Sequence, residues 1–195
     1  MVMGRPREFD VEAALDTALH VFWRKGYEGA SMADLTEAMG ITKPSLYAAF
    51  GNKEELFRKA LDRYVDGPGG YFQTALQKPT AREVVEHVLY ESVNAVTDPD
   101  NPGCLAVQGA LCCGDAAETI KQELMARRSK SEKDMSVRFA RAIAEGDLPA
   151  TVDAGDLARY ISAILQGMAV QAAGGSGRDQ LRKLADMALR SWPPA

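Results

Sequence analysis

Apolar side chains recur every three or four positions along almost the whole chain, the spacing of one helix face rather than the alternation of a strand. Val11, Ala14, Leu15, Ala18, Leu19 and Phe22 form the first such stripe. Asp10 precedes it as a capping residue, and Lys25-Gly26 closes it with a basic last turn and a glycine stop. Met32, Leu35, Ala38 and Met39 form the second stripe, with Ser31 and Asp34 close to a capping box and Gly40 as the stop. Thr42 caps a third helix, Pro44 sits in its first turn where a missing N–H costs little, and Leu46, Tyr47 and Phe50 follow. Gly51-Asn52 break the pattern again, and Asn52 opens a fourth helix at Lys53-Glu54-Glu55-Leu56-Phe57. The second and third helices, joined by Met39-Gly40-Ile41-Thr42, have the spacing of a helix-turn-helix. Its glycine falls where the turn needs a left-handed residue. Ala33, Ala38 and Leu46 are the small or apolar side chains expected where the two helices pack closely.

Asp66-Gly67-Pro68-Gly69-Gly70 interrupts a run otherwise helical to about Gln77, predicting a kink and a boundary between domains at 1–65 and 66–195. A helix follows Thr80 to about Thr97, then the loop Asp98-Pro99-Asp100-Asn101-Pro102-Gly103, then a short apolar segment from Cys104 to Cys113. Asp115 to about Glu145 reads as a long charged helix. Its Asp115, Glu118, Glu123, Lys121, Arg127 and Arg128 look like a solvated face laced with ion pairs. After the turn Gly146-Asp147-Leu148-Pro149, residues 153–173 and 178–191 give two more helices, split by Gly174-Gly175-Ser176-Gly177. The pattern predicts an all-α chain of about nine helices, with a helix-turn-helix at about residues 30–49.

Composition narrows the chemistry. In 195 residues, 46% apolar and 26% charged side chains are ordinary globular proportions, and only 7% aromatics with abundant alanine favour helix over sheet. No apolar run approaches the roughly 20 residues of a membrane span. The first residues lack the apolar stretch of a secretory signal, so a cytoplasmic location is the default expectation. A net charge of −4 removes any bulk electrostatic case for nucleic-acid binding, so a DNA contact needs a local patch. Residues 40–53 hold Lys43 and Lys53 and no acid. Three cysteines without a C-x-x-C pair predict neither a disulfide framework nor a zinc site. His20 and His87 lie far apart, so no catalytic constellation, metal or cofactor is expected. His20, beside the apolar stripe, reads as structural.

Ala18, Phe22, Gly26-Tyr27, Ser31-Met32, Leu35, Gly40-Ile41-Thr42-Lys43-Pro44-Ser45-Leu46-Tyr47, Phe50 and Asn52-Lys53-Glu54-Glu55-Leu56 stand in an order that resembles the DNA-binding domain of the TetR/AcrR family of transcriptional regulators. Gly103-Cys104-Leu105, Leu165-Gln166-Gly167-Met168 and Leu184-Ala185-Asp186 extend the resemblance more weakly toward the C-terminus. It implies that Thr42, Lys43, Ser45 and Tyr47 meet DNA from the recognition helix and that Lys53 holds a phosphate. Where family members often carry a histidine and a second aromatic after that tyrosine, this chain has Ala48-Ala49, which removes one contact. The resemblance further implies a C-terminal effector-binding and dimerising domain, and a homodimer on a double-stranded, palindromic operator. An unknown small molecule would release it. The last two helices pair with a two-fold mate in such proteins, which points to Ile161, Leu165, Gly167, Met168, Leu181, Leu184 and Ala188. The mid-helix Gly167 suggests close backbone approach.

Residue chemistry adds four readings. A helix N-terminus, hydroxyls and an adjacent lysine make a compact phosphate site at Thr42, Lys43 and Ser45. Arg5 and Arg7, in a Gly-Arg-Pro-Arg arm, suit a narrow minor groove, against the plain alternative of a frayed terminus. Tyr90 is a candidate effector-pocket aromatic, or core. Cys104 opens a helix after a Pro-Gly loop, where the positive dipole end favours thiolate, although a small buried hydrophobe is the ordinary role of a free cysteine. The expected function is a ligand-responsive DNA-binding transcriptional regulator, in this family usually a repressor, and not an enzyme. The alternative is a thiol- or ligand-responsive helical protein with a vestigial helix-turn-helix.

Overall fold

The computed structural model describes residues 9–111 and 117–193. Among them run ten helices and no strand: α1 Val11–Gly29, α2 Met32–Met39, α3 Lys43–Phe50, α4 Lys53–Asp66, α5 Tyr71–Leu76, α6 Ala81–Val96, α7 Leu105–Leu111, α8 Glu118–Ala144, α9 Ala154–Ala173 and α10 Arg178–Arg190. The tenth arises because the glycine-rich break leaves α5 separate from α4. Cys112, Cys113 and the expected start at Asp115 lie outside the described residues, as do Arg5 and Arg7.

The ends form where short polar side chains satisfy first-turn N–H groups that have no intrahelical partner. Asp10 Oδ1 accepts from Glu12 N at 2.9 Å and Ala13 N at 3.2 Å. Reciprocal capping boxes join Ser31 with Asp34, Asn52 with Glu55, and Thr80 with Glu83. Gly26, at φ 70° and ψ 176°, breaks helical geometry where the glycine stop is expected, and one further turn carries the chain to Gly29. Between α4 and α5, Gly69 N donates to Tyr64 O at 2.8 Å, and a Cβ on Gly69 would come within 3.2 Å of that same carbonyl.

Two apolar clusters hold the fold. The first gathers Phe22, Leu35, Leu46, Phe50, Leu56, Phe57 and Leu61 from α1 to α4, with Phe22 and Phe57 edge to face at 5.0 Å. Leu105, Ile120 and Leu124, from α7 and α8, enter this cluster. Fully burying one such side chain contributes roughly 1.5–3 kcal/mol. The second packs Val84, Val88 and Leu89 of α6 against Met135 and Phe139 of α8, Ile161 and Met168 of α9, and Leu181 and Leu189 of α10.

Polar links tie α1 and α4 to the segment that opens α7 and to α8. Trp23 Nε1 donates to Gly103 O at 3.2 Å, and the Tyr64 hydroxyl donates to Cys104 Sγ at 3.2 Å. Arg58 Nε donates to Glu123 Oε2 at 2.7 Å, and Arg127 of α8 donates to Asp62 of α4 at 2.7 Å and to Glu123 at 2.9 Å. The α8 face expected to be solvated and laced with ion pairs thus also clamps α8 to α4 through Glu123 and Arg127. Burial pushes the Glu123 carboxyl up, but hydrogen bonds from Arg58 and Arg127 outweigh it and hold it below its usual value. Within the second cluster, Arg138 is buried and donates through Nη2 to Lys78 O at 3.0 Å and Pro79 O at 2.8 Å.

Candidate nucleic-acid interface

Leu35 and Met39 of α2 and Leu46 and Phe50 of α3 are buried, which fixes one helix against the other. Ala33 and Ala38 are exposed, so the close packing expected of them falls to Leu35 and Met39. The turn is made at Gly40, at φ 64° and ψ 28°, whose N–H donates to Glu37 O and Thr36 O while Ile41 N donates to Thr36 O at 3.1 Å. A left-handed glycine that returns N–H groups to the last helical carbonyls ends α2 and re-aims the chain within two residues.

The reversal presents the N-terminus and outer face of α3. Thr42, Lys43, Pro44, Tyr47 and Ala48 are exposed and Ser45 is half-buried. Thr42 Oγ1 accepts from Ser45 N at 3.3 Å and lies 2.9 Å from Ser45 Oγ, so the two hydroxyls stand together over the first turn. Tyr47 is 45% exposed, and Lys43 Nζ lies 5.9 Å from its ring centre. Lys53, the first residue of α4, sets Nζ 4.5 Å from the Tyr27 ring, a cation–π contact that positions the ammonium. The exposed part of α3 thus combines the positive end of a helix dipole, two hydroxyls, a phenol and the Lys43 ammonium, groups that bind phosphates and base edges, and Lys53 adds a second ammonium at the start of α4.

Neighbouring groups hold this surface in place. Lys25 of α1 meets Asp34 of α2 at 2.6 Å. That hydrogen bond, and those from Ser31, hold the Asp34 carboxyl well below the usual carboxylate range. Lys59 Nζ donates to Phe50 O at 3.0 Å and covers the C-terminal end of α3. Arg63 is fixed by Asp16 and Glu12 of α1, with its Nε donating to Asp16 at 2.8 Å.

The remaining candidates are dispersed. Tyr90 donates its hydroxyl to Asp186 at 2.8 Å, which raises the phenol's pKa, and Arg182 lies 4.9 Å over its ring. It lines an open groove of about 750 Å³ with Thr80, Arg82, Glu86 and Trp192. Cys104 is half-buried between the two clusters. Ile161, Met168, Leu181 and Ala188 are buried in the protomer's own second cluster, so the single chain already covers them. Leu165, Gly167 and Leu184 are half-buried; Tyr160, Val170 and Met187 are the exposed large apolar side chains of α9 and α10. Helical spacing identifies an apolar stripe but does not separate the part covered within the protomer from the part left open. The α4–α8 clamp has no local signature, because Arg58 and Glu123, and likewise Asp62 and Arg127, are 65 residues apart in the chain. Among the described residues no three His, Cys, Asp or Glu side chains converge to hold a metal, and no helix is long and apolar enough to cross a membrane.

Comparison with known proteins agrees with this geometry. The family of bacterial regulatory proteins named for TetR matches residues 14–60, which span α1 to the middle of α4. The HTH-type transcriptional repressor ComR of Escherichia coli (strain K12) is 35% identical over 193 residues, covering 97% of this chain and 92% of ComR. BdcR, a repressor from the same strain, is 32% identical over 159 residues, covering 74% of this chain and 80% of BdcR. Among solved structures, a cysteine mutant of the TetR-family regulator CifR, complexed with 26-bp double-strand operator DNA, superposes with a TM-score of 0.92. It is 45% identical, and the alignment covers 97% of this chain and all of that one. With a left-handed glycine turn, an outward recognition helix and relatives matching along nearly their full length, the chain belongs to the TetR family of DNA-binding transcriptional regulators.

Proposed function

We propose that this regulator is a repressor that holds a palindromic operator through α3 and leaves it when a small molecule binds. The observation that carries the reading is the exposed start and outer face of α3, where Thr42, Lys43, Ser45 and Tyr47 stand, in a stretch from Gly40 to Lys53 whose sequence holds two lysines and no acid. In this reading Lys43, Lys53 and the first turn of α3 bind phosphates and set the register, while Ser45 and Tyr47 reach base edges. Arg5 and Arg7 extend the contact into the minor groove. Residues 1–65 form the reading unit and 66–195 the effector-binding and dimerising unit.

A homodimer places two copies of α3 about 34–36 Å apart, one turn of B-DNA, which is why the operator is read as a palindrome. The pairing surface is the open part of α9 and α10, with Tyr160, Val170 and Met187 exposed and Leu165, Gly167 and Leu184 half-buried, while Ile161, Met168, Leu181 and Ala188 are already buried within the protomer. A Cβ built on Gly167 meets nothing within 4 Å, so the space for close approach lies outside the protomer. Release is a population shift. A ligand that prefers the conformation with mis-spaced recognition helices lowers operator affinity by its differential affinity for the two states. The groove walled by Tyr90 has the volume of a small-molecule site.

The thiol-responsive alternative with a vestigial reading head is not favoured, given the intact α2–α3 unit and repressor relatives along the full chain. Selecting bound fragments from genomic DNA, followed by gel shifts with the DNA upstream of the protein's own gene, tests the proposal. A discrete complex on a palindromic fragment, competed only by the same sequence, is expected. Equal binding to all fragments, or none, refutes it.

A further inference from the structure

The junction between the two apolar clusters contains a cavity that the DNA-binding reading does not use. It measures about 420 Å³ and is lined by His20 and Trp23 of α1, by Gly67, Pro68 and Tyr71, and by Glu91, Asn94 and Ala95 of α6 with Asp98 and Asn101 from the loop before α7. His20 and Asn101 also line an adjoining cavity of about 340 Å³, to which Arg24 and Asp100 contribute one charge of each sign. The first cavity therefore carries two carboxylates, three aromatic rings and no lysine or arginine.

Neither carboxylate has an ion-pair partner among the described residues. Glu91 Oε2 accepts only a 3.5 Å contact from Asn94 Nδ2, and Asp98 Oδ1 accepts the N–H groups of Asp100 and Asn101. Asn101 is 5% exposed, and its Oδ1 is buried without a donor. Negative charge beside aromatic faces favours a weakly hydrated organic cation, which gains both the carboxylate field and the ring quadrupoles. A small inorganic ion would have to shed a tight water shell onto too few oxygens. A cation bearing a hydroxyl or N–H would also offer the Asn101 oxygen the donor it lacks.

We propose that this junction cavity binds a small organic cation, an alkylammonium or protonated amine, held by Glu91 and Asp98 between Trp23, Tyr71 and His20. An occupant touches α1 on one side and α6 with the loop before α7 on the other. It thereby fixes the Trp23–Gly103 link that sets the reading unit against the rest of the chain. The inference goes beyond the proposed operator binding, and its test needs no DNA, so either can fail without the other.

The probe is choline, with its uncharged isostere in which carbon replaces the ammonium nitrogen. The chain has two tryptophans, so in a Trp192→Phe background the emission reports Trp23 alone. Choline should change that emission saturably, and the isostere should require at least about tenfold more. Glu91→Gln should raise the choline dissociation constant by at least about fivefold with an unchanged thermal transition. Ala95→Phe, which fills the cavity without altering a charge, should abolish the response. No response to choline, equal potency of the isostere, an unchanged constant in Glu91→Gln, or retained binding in Ala95→Phe would each overturn the proposal.

Discussion

Gly40 offers a perturbation whose cost is almost purely torsional. Its φ of 64° and ψ of 28° lie in the left-handed region, and a Cβ built there meets no atom within 4 Å. Packing therefore contributes little to a substitution. An L-residue in that region pays roughly 1–2 kcal/mol. Replacing glycine also stiffens the unfolded chain, which returns about 0.4–1 kcal/mol. The expected net destabilisation is about 0.5–1 kcal/mol for Gly40→Ala, near zero for Gly40→Asn, whose side chain tolerates this conformation, and on the order of 2 kcal/mol for β-branched Gly40→Val. In a chain of this size each kcal/mol lowers Tm by about 2–4 °C. Thermal and urea unfolding of the three variants measure the series, and operator affinity reads whether α3 keeps its aim. Asn should retain most of both, and Val should lose operator affinity beyond its loss of stability. Equal stability of Val, Ala and Asn would refute the torsional argument, and wild-type operator affinity in Gly40→Val would count against α2–α3 as the reading head. Gly51 provides a contrast: φ is again positive at 80°, but there a Cβ would strike the Glu55 carboxylate of the capping box, adding a steric cost to the torsional one.

Lys53→Ala should weaken binding to all DNA sequences about equally and flatten the slope of log affinity against log salt by about one unit per subunit; an unchanged slope removes Lys53 from the phosphate contacts. Asp34 supplies the pH prediction. Its carboxyl is held below the ordinary range by Lys25 and then Ser31, so the ionised form is favoured by folding. That stability is present above the unfolded-state pKa of about 3.9 and is lost as pH falls through and below it. The Tm deficit of Asp34→Asn relative to the native chain should therefore shrink from neutral pH toward about pH 3. A deficit that stays constant with pH would mean that Asp34 acts through its shape rather than its charge.

What the sequence determined by itself is local. Caps and stops depend on residues within four positions of one another, so Asp10, Ser31, Thr42, Asn52 and Thr80 announce where helices begin, and Gly40 announces the turn before any packing is known. Leu46 and Phe50, four positions apart, mark the inward face of α3 for the same reason, whereas the exposure of Lys43 and Tyr47, which helical spacing sets close to that face, was decided by the fold. Tertiary structure decided whatever joins distant segments. A wide apolar stripe on α9 or α10 does not reveal which residues the protomer covers, so Ile161 and Met168 turned out to be its own core while Val170 and Met187 stayed open. The pairing of Arg58 with Glu123, the entry of Leu105 and Leu124 into the N-terminal cluster, and the junction cavity behind Trp23 have no local signature. Each depends on where α6, α7 and α8 lie against α1 and α4, a choice made by the burial of the whole chain, because the hydrophobic effect rewards area removed from water without specifying which partner covers it.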